Sequence, residues 1–408
     1  MEDNSSLRAY KIKLPMIPFK LRNHLRGDKQ IWWILLFLSL ISIVVVYSSI
    51  SALAYRKTEG NTEFYLIKHT SLILFGLFLT FVVHKFDFTK YVGLANIFLW
   101  ITPILLIYTL MKGISIGGAR RWVSIFGLSF QTSDFVRLVL ITNLSAMLAR
   151  RQHIEYKTSD LWSMIIWCGV IVGLLSFSSF STSVILGITC LLIMWVGRVP
   201  KRFLIRMIIV LSVGLLGVLS LGLLAKRISG KEFGRVGTVI DRTEAFVNLD
   251  LDGNKLIGGE IGSNSNQKDF ALTAIARGGF FGVGPGNSSQ KNVLPDAFSD
   301  FIYSIIIEEY GFLGGMIVMA LYLWLLYRGI WNIENTTRAF GGLLCIGLTL
   351  SIVLQGFAHM FINVGLGPVT GQTLPMISMG GTSALFTSIA IGIVLSVTNT
   401  IELKKTEE

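Results

Sequence analysis

A chain of 408 residues that is 52% hydrophobic and only 15% charged, with a mean hydropathy of +0.65, excludes an ordinary water-soluble globule and describes a polytopic membrane protein. The net charge of +12 does not point to nucleic acid, because the basic residues are dispersed among loops; membrane orientation accounts for them. The three cysteines, Cys168, Cys190 and Cys345, fall inside apolar segments without C-x-x-C spacing, so no disulfide framework or zinc site is implied.

Residues 1–30 hold seven Lys or Arg against three acids and read as a cytoplasmic basic arm. The arm sets topology and has the composition to touch anionic membrane lipid. No small-residue cleavage site follows the first apolar run, which is expected to be a retained helix. About ten apolar segments follow, each long enough or nearly so to cross a hydrocarbon layer of roughly 30 Å. They are 31–54, 66–84, 91–111, 133–149, 161–177, 180–197, 203–225, 298–327, 339–363 and 377–400. Backbone groups in lipid need internal partners, and these runs lack the alternation of a barrel, so the expected class is all-α. The excess of Lys and Arg on alternate loops places both termini, including the 401–408 tail, in the cytoplasm. It puts loops 112–132, 364–376 and the large 226–297 loop on the outer side. No G-x-x-x-x-G-K-[ST] run occurs, so a transporter with its own P-loop is unsupported.

Several polar stretches interrupt this pattern. Gly118-Ala119-Arg120-Arg121-Trp122 sets a positive pair on the outer side, where Arg forks suit phosphate oxygens and ion pairs to loop acids are the alternative. Gln131-Thr132-Ser133-Asp134 reads as a polar helix start, with Thr132 or Ser133 as cap and Asp134 near the positive end of the helix dipole. Arg137 lies inside the fourth span and Glu308 and Glu309 inside the eighth; charges in hydrocarbon need partners, so Arg137 is expected to pair with one of the glutamates across a polar cavity. His359 reads as a hydrogen-bonded core histidine. Asn248, Asp250, Asp252 and Gly253 imitate half of a calcium loop, but Gly259 stands at its twelfth position, and a solvated turn is the better reading.

Two stretches carry the strongest chemical signal. From Val283 to Gly315 a polar loop runs into an apolar helix, expected to start near Asp296 after Pro295. Asp296 and Asp300 would then share one helix face roughly 6 Å apart, as a catalytic pair or as caps. The run Gly365-Leu366-Gly367-Pro368-Val369-Thr370-Gly371, continuing to Ser378-Met379-Gly380-Gly381-Thr382-Ser383, breaks the helical pattern. Such backbone is tolerated at membrane depth where it lines a cavity, so it is expected to help build a substrate groove.

Taken together, the Gly118–Trp122 motif, the Gly286–Ile302 run with Ser299-Asp300-Phe301-Ile302, and the Pro368–Ser383 run resemble the SEDS family (shape, elongation, division and sporulation), the group of FtsW, RodA and SpoVE. The likeness spans nearly the whole membrane region and favours a division-type over an elongation-type member. It implies a ten-helix glycosyltransferase of the bacterial cytoplasmic membrane that polymerises lipid II into glycan strands on the outer face. The implied partners are a class B penicillin-binding transpeptidase, undecaprenyl-pyrophosphate-linked glycan and other division or elongation proteins. Asp300 aligns with the family's essential acid and would be the general base. Arg120, Arg121 and Lys291, with Asp296 nearby, would hold the leaving pyrophosphate, and a divalent cation such as Mg or Mn could share that task. Departures are Asp296 where Glu is usual, Phe298 where His is common, and Ser178–Ser183 in place of a carboxylate-bearing stretch. The rival readings are a lipid-linked-sugar flippase and a non-catalytic division scaffold.

Overall fold

The structure is a computed structural model that describes residues 25–58, 61–116, 119–125, 128–151, 156, 158–229, 264–336 and 338–407. Most of the basic arm and the Asn248–Gly253 turn lie outside the described residues. Among those described, the elements are α1 (Lys29–Ser49), α2 (Ser51–Thr58), α3 (Thr62–Val83), α4 (Lys90–Lys112), β1 (Ile114–Ile116), β2 (Ala119–Ile125), β3 (Leu128–Gln131), α5 (Thr132–Ala149), α6 (Thr158–Ser178) and α7 (Phe180–Val196). The chain continues through α8 (Lys201–Ser229), α9 (Asn264–Gly278), a 3-10 turn (Gln290–Asn292), α10 (Ile302–Asn335), α11 (Ala339–Asn363) and α12 (Thr382–Glu407).

Among the described residues, nine of these helices are long and apolar enough to span a membrane, and α7 is a shorter apolar helix. The ten apolar runs of the hydropathy pattern thus correspond to nine candidate spans and one shorter apolar helix. The innermost are α5 and α11, whose apolar windows are each 78% buried; α8, at 17%, leaves most of its side chains outside the bundle. In a membrane those outward residues, such as Ile205, Ile209 and Val213, meet lipid chains, which are as apolar as the core, so burial gives no preference for turning them inward.

The loop between α4 and α5 is not irregular. It forms a three-stranded antiparallel sheet in the order β1-β2-β3, with Trp122 opposite Gln131 and Val123 opposite Phe130. The sheet addition departs from a purely helical expectation. Its physical reason is local: alternation in Ala119–Ile125 sends Arg121 and the buried Val123 to one face, the period of a strand rather than a helix.

One end of the bundle is tied by Asp28. It caps α1 by accepting from Gln30 N–H at 2.9 Å, receives Arg328 Nε at 2.6 Å and Asn332 Nδ2 at 3.3 Å, and its own N–H donates to Thr398 Oγ1 at 2.9 Å. α1, α10 and α12 therefore meet at one buried residue, α1 and α10 on its carboxylate and α12 on its backbone N–H.

At the opposite end, α10 is broken at Gly311, whose φ of 71° and ψ of −173° lie outside the helix. In a regular helix Phe312 and Leu313 would donate to Glu308 and Glu309 carbonyls. Here those carbonyls accept instead from Val283 N–H (2.9 Å) and Gly284 N–H (3.0 Å), while Phe312 and Leu313 donate to the Gly279 and Phe280 carbonyls at 2.9 and 3.4 Å. The helix opens by one exchange of partners and grips the loop that follows α9. A Cβ on residue 311 would lie 2.3 Å from the Phe280 carbonyl oxygen, so only glycine fits.

Two expectations follow from this packing. Arg328→Met strands the Asp28 carboxylate, and the folded state should lose about 3–5 kcal/mol, much of it recovered in Asp28→Asn/Arg328→Met; thermal melts in detergent measure both. Gly311→Ala should cost at least about 1–3 kcal/mol from backbone strain alone, seen as a lowered Tm and a reduced monodisperse fraction on size exclusion, whereas Gly93→Ala, with open space around it, should not.

Candidate active site

The non-helical chain from 364 to 381 runs between α11 and α12 and is largely buried or half-buried, so its peptide groups need partners from the protein. Side chains take over. Arg121 Nη1 donates to Gly371 O at 3.4 Å, His359 Nδ1 lies 2.7 Å from Gln372 O, and Gln355 Nε2 donates to Thr373 O at 3.1 Å. Tyr322 Oη donates to Pro375 O and Ser42 Oγ to Ile377 O at 2.8 Å, while Ser378 Oγ accepts from Leu374 N–H at 2.8 Å. His359 is the hydrogen-bonded core histidine expected from its place in the ninth span.

The segment before α10 is bound to the same loop. Ser378 Oγ donates to Ser299 O at 2.7 Å and Met379 N–H to Phe298 O at 3.1 Å. Asn363, at the end of α11, donates to Asp300 O at 3.0 Å and accepts from Ser304 N–H at 3.1 Å. That second bond satisfies one of the free N–H groups in the first turn of α10.

The helix itself begins at Ile302, with Phe301 as its N-cap, rather than near Asp296. Residues 295–301 are turns, and Asp296 has a φ of 55°. Asp296 is exposed, and its carbonyl accepts from both Ser299 and Asp300 N–H at 2.9 Å. The expected pair on one helix face is thereby corrected: Pro295 and Asp296 make a tight turn of their own, and Asp300 follows it outside the helix.

Asp300 is half-buried, with Oδ1 receiving the Ser299 hydroxyl at 3.0 Å. Its Oδ2 lies where a Cβ on Gly371 would come within 3.0 Å, and Gly371 has a φ of 64°. Both facts require glycine at 371. The carboxylate and the Arg121 guanidinium thus flank one residue, the first on its Cα and the second on its carbonyl. Arg120 stands beside Arg121 in β2, opposite Ser115.

Gly371, Gln372 and Thr373 form one wall of a polar pocket that also takes in Arg121, Asp134, Arg137 and Thr182. Asp134 and Arg137 are adjacent on α5 and bonded to each other at 3.3 Å; Arg137 Nη1 also donates to Gln355 Oε1. The expectation that Arg137 pairs with Glu308 or Glu309 is therefore corrected. One helical turn supplies a nearer carboxylate, because residues three apart share a face. Gln131, not Thr132 or Ser133, takes the N-cap position of α5.

The two glutamates do other work. Buried Glu308 receives Ser288 Oγ and Ser289 N–H (3.0 Å) and has Arg277 Nη1 at 3.9 Å; buried Glu309 receives Ser48 Oγ and has Lys291 Nζ at 3.9 Å. Lys291 also donates to Gly286 O at 2.6 Å. These contacts clamp the 286–291 loop onto α10, and Lys291 is brought to Glu309.

Of the residues singled out from sequence, then, Asp300, Arg121 and Arg137 are gathered by the Gly371–Thr373 wall, while Lys291, Glu308 and Glu309 form a separate clamp. Gln355 and Asn363 were missed, although the signal was present: with His359 they are polar residues four apart on an otherwise apolar helix, hence one stripe facing one neighbour. Among the described residues no three His, Cys, Asp or Glu side chains converge to hold a metal ion, so Asp300 offers a cation one carboxylate and no cage.

Comparison with known proteins places this architecture. Residues 28–402 match the FTSW_RODA_SPOVE family model, described as a cell cycle protein. A probable peptidoglycan glycosyltransferase FtsW of Coxiella burnetii is 28% identical over 377 residues, covering 90% of this chain and 95% of the relative. The corresponding protein of Nitrosococcus halophilus is 31% identical over 361 residues, covering 86% and 87%. In fold, the chain is similar to the rod shape determining protein RodA of Thermus thermophilus, with a TM-score of 0.62, 22% identity and coverage of 92% and 98%. It is likewise similar to a chain of a peptidoglycan synthase complex that coordinates polymerization and crosslinking, with a TM-score of 0.66, 23% identity and coverage of 92% and 98%. With a family model matched over nearly its whole length, the chain belongs to the FtsW/RodA/SpoVE family of cell cycle proteins.

Proposed function

We propose that this protein is a division-type peptidoglycan glycosyltransferase that joins lipid II units into glycan strands, with Asp300 as general base. Both termini face the cytoplasm in this reading, and the Asp300 end of the bundle faces the outer side of the bacterial cytoplasmic membrane. The observation that carries it is the placement of a half-buried carboxylate and a guanidinium on the two sides of Gly371, a residue that lines a polar pocket with Arg121.

In the reaction, the sugar 4-hydroxyl of lipid II attacks the anomeric carbon of the growing strand. Asp300 takes the hydroxyl proton, the new C–O bond forms, and the bond to pyrophosphate breaks, so undecaprenyl pyrophosphate departs with the electron pair. Arg121 stabilises the charge that develops on the departing phosphate oxygens. Ser299, donating to Oδ1, leaves Oδ2 as the oxygen that faces the Gly371 wall. Gln372 Oε1 is buried without a hydrogen-bond partner among the described residues, and the Asp134 carboxylate, beside Ser383, lines the same pocket. They are acceptors suited to sugar hydroxyls, since a buried acceptor left unmade costs about 1–3 kcal/mol. Lys291 has a smaller part, because Glu309, Ser48 and Gly286 already engage its ammonium. A class B penicillin-binding transpeptidase would crosslink the emerging strand.

The test uses the full chain purified with its cognate transpeptidase and supplied with labelled lipid II. Asp300→Asn keeps the shape and removes the base, and polymerisation should fall about 10²- to 10⁴-fold with an unchanged Tm; equal polymer from both would sink the role. Asp296→Asn should keep polymerisation, because Asn also tolerates a positive φ and the Asp296 side chain is exposed. If even the wild-type complex makes no polymer, flipping of labelled lipid II in vesicles is the measurement that decides for transport.

A further inference from the structure

Gln355, His359 and Asn363 recur every four residues along α11, and all three side chains end on the backbone that forms the Asp300 site. Asn363 holds the Asp300 carbonyl at 3.0 Å, His359 the Gln372 carbonyl at 2.7 Å, and Gln355 the Thr373 carbonyl at 3.1 Å. Among the described residues Asn363 and His359 have no charged partner, but Gln355 has one. Arg137 donates to its Oε1, and Arg137 is itself balanced by Asp134 at 3.3 Å.

An amide side chain has one donor end and one acceptor end. Once Arg137, a donor that cannot accept, takes Oε1, only the NH2 end remains for Thr373, whose carbonyl can only accept. The ion pair on α5 therefore dictates which way the Gln355 amide points. With the amide turned over, two donors would face each other at Arg137 and two acceptors at Thr373.

We infer that Gln355 is a positioning residue for the transfer reaction: oriented by the Asp134–Arg137 pair, it holds the Gly371–Thr373 wall against the Asp300 carboxylate. Arg137 acts through Gln355, not on substrate. The inference rests on the reading of Asp300 as base only for its kinetic consequence; the holding of the wall is a structural statement that can be read separately.

The geometry sets the expected pattern. Gly371 approaches the Asp300 carboxylate so closely that even a methyl group there would sit 3.0 Å from Oδ2. A wall displaced by about 1 Å moves the bound hydroxyl relative to the base, and such misplacement lowers rate by up to about 10²-fold without removing any group that touches substrate. Gln355→Met preserves length and volume but loses the donor to Thr373. Gln355→Glu keeps the partner for Arg137 and likewise loses the donor. Both variants should lower kcat about 10- to 100-fold and leave KM for lipid II within about 3-fold. Arg137→Met should lower kcat as well, and the double variant Arg137→Met/Gln355→Met should be no slower than Gln355→Met alone, because the two residues act as one unit.

The experiment uses the full chain with its transpeptidase in nanodiscs, combining steady-state kinetics on labelled lipid II with hydrogen exchange of the 369–379 segment. Faster exchange confined to that segment in Gln355→Met and Gln355→Glu, with the kcat loss and the non-additive cycle, supports the inference. Wild-type exchange in the segment, or additive losses from Arg137 and Gln355, overturns it; if Gln355→Met fails to fold, Gln355→Glu carries the same comparison. Asp300→Asn separates the two readings: it should abolish polymer while leaving exchange of the segment unchanged. Full activity in Asp300→Asn together with fast exchange in the Gln355 variants would remove the base and keep the positioning role.

Discussion

Buried backbone outside a helix must find hydrogen-bond partners, and the largely buried or half-buried 364–381 chain is built around that constraint. Each unmet peptide group there costs several kcal/mol. The protein meets the need with side chains from five directions: Arg121 from the sheet, Gln355 and His359 from α11, Tyr322 from α10, Ser42 from α1 and Ser378 from within the loop. Most of these are neutral donors to carbonyl oxygens, so they fix the loop without loading the interior with charge. Because the donors come from the sheet and from three different helices, the loop also ties those elements to one another.

The break in α10 meets the same constraint differently. There the groups freed at Gly311 are paired with the backbone of residues 279–284, chain to chain. Backbone partners suffice because two non-helical stretches run side by side. Glu308 and Glu309 then secure the next part of the loop through Ser288, Ser289, Ser48 and the cations Arg277 and Lys291. Carboxylates that look from sequence like a partner for Arg137 instead clamp the loop: Glu308 takes Ser288 and Ser289 with Arg277 nearby, and Glu309 takes Ser48 with Lys291 nearby.

How much of this was legible in the sequence follows from the range of the forces involved. Ten apolar runs could be read because hydropathy is a summed, local property, and the Gly365–Gly371 break because Gly and Pro act on their own backbone. Asp300 could be singled out by its motif. The start of α10 could not be placed, because Pro295 permits a first helical turn and only the tertiary bonds of Asn363 and Ser378 decide that residues 298–300 turn instead. Arg137 was assigned to the wrong carboxylate for a similar reason: long-range pairing was preferred to Asp134, three residues away, which had been read as a dipole partner for the helix. The sheet was missed because strands of three to seven residues carry too short a period to compete with the hydrophobic runs on either side.

The neutrality of the scaffold has a consequence for the chemistry. Asp134 and Arg137 cancel within one turn of α5, and Gln355, His359, Asn363, Ser378 and Tyr322 hold the wall through hydrogen bonds to carbonyl oxygens or peptide N–H groups. The charge pattern there is then set chiefly by Asp300 on one side of Gly371 and Arg121 on the other. A glycosyl transfer from a pyrophosphate needs that separation, since the base must sit near the incoming hydroxyl and the cation near the departing phosphate. Additional charge in the wall would raise or lower both at once. In the proposed reaction a rigid, neutral frame would let the two act on opposite ends of the same bond exchange, which gives the polar stripe on α11, silent in any inventory of charged residues, a part in the proposed catalytic design.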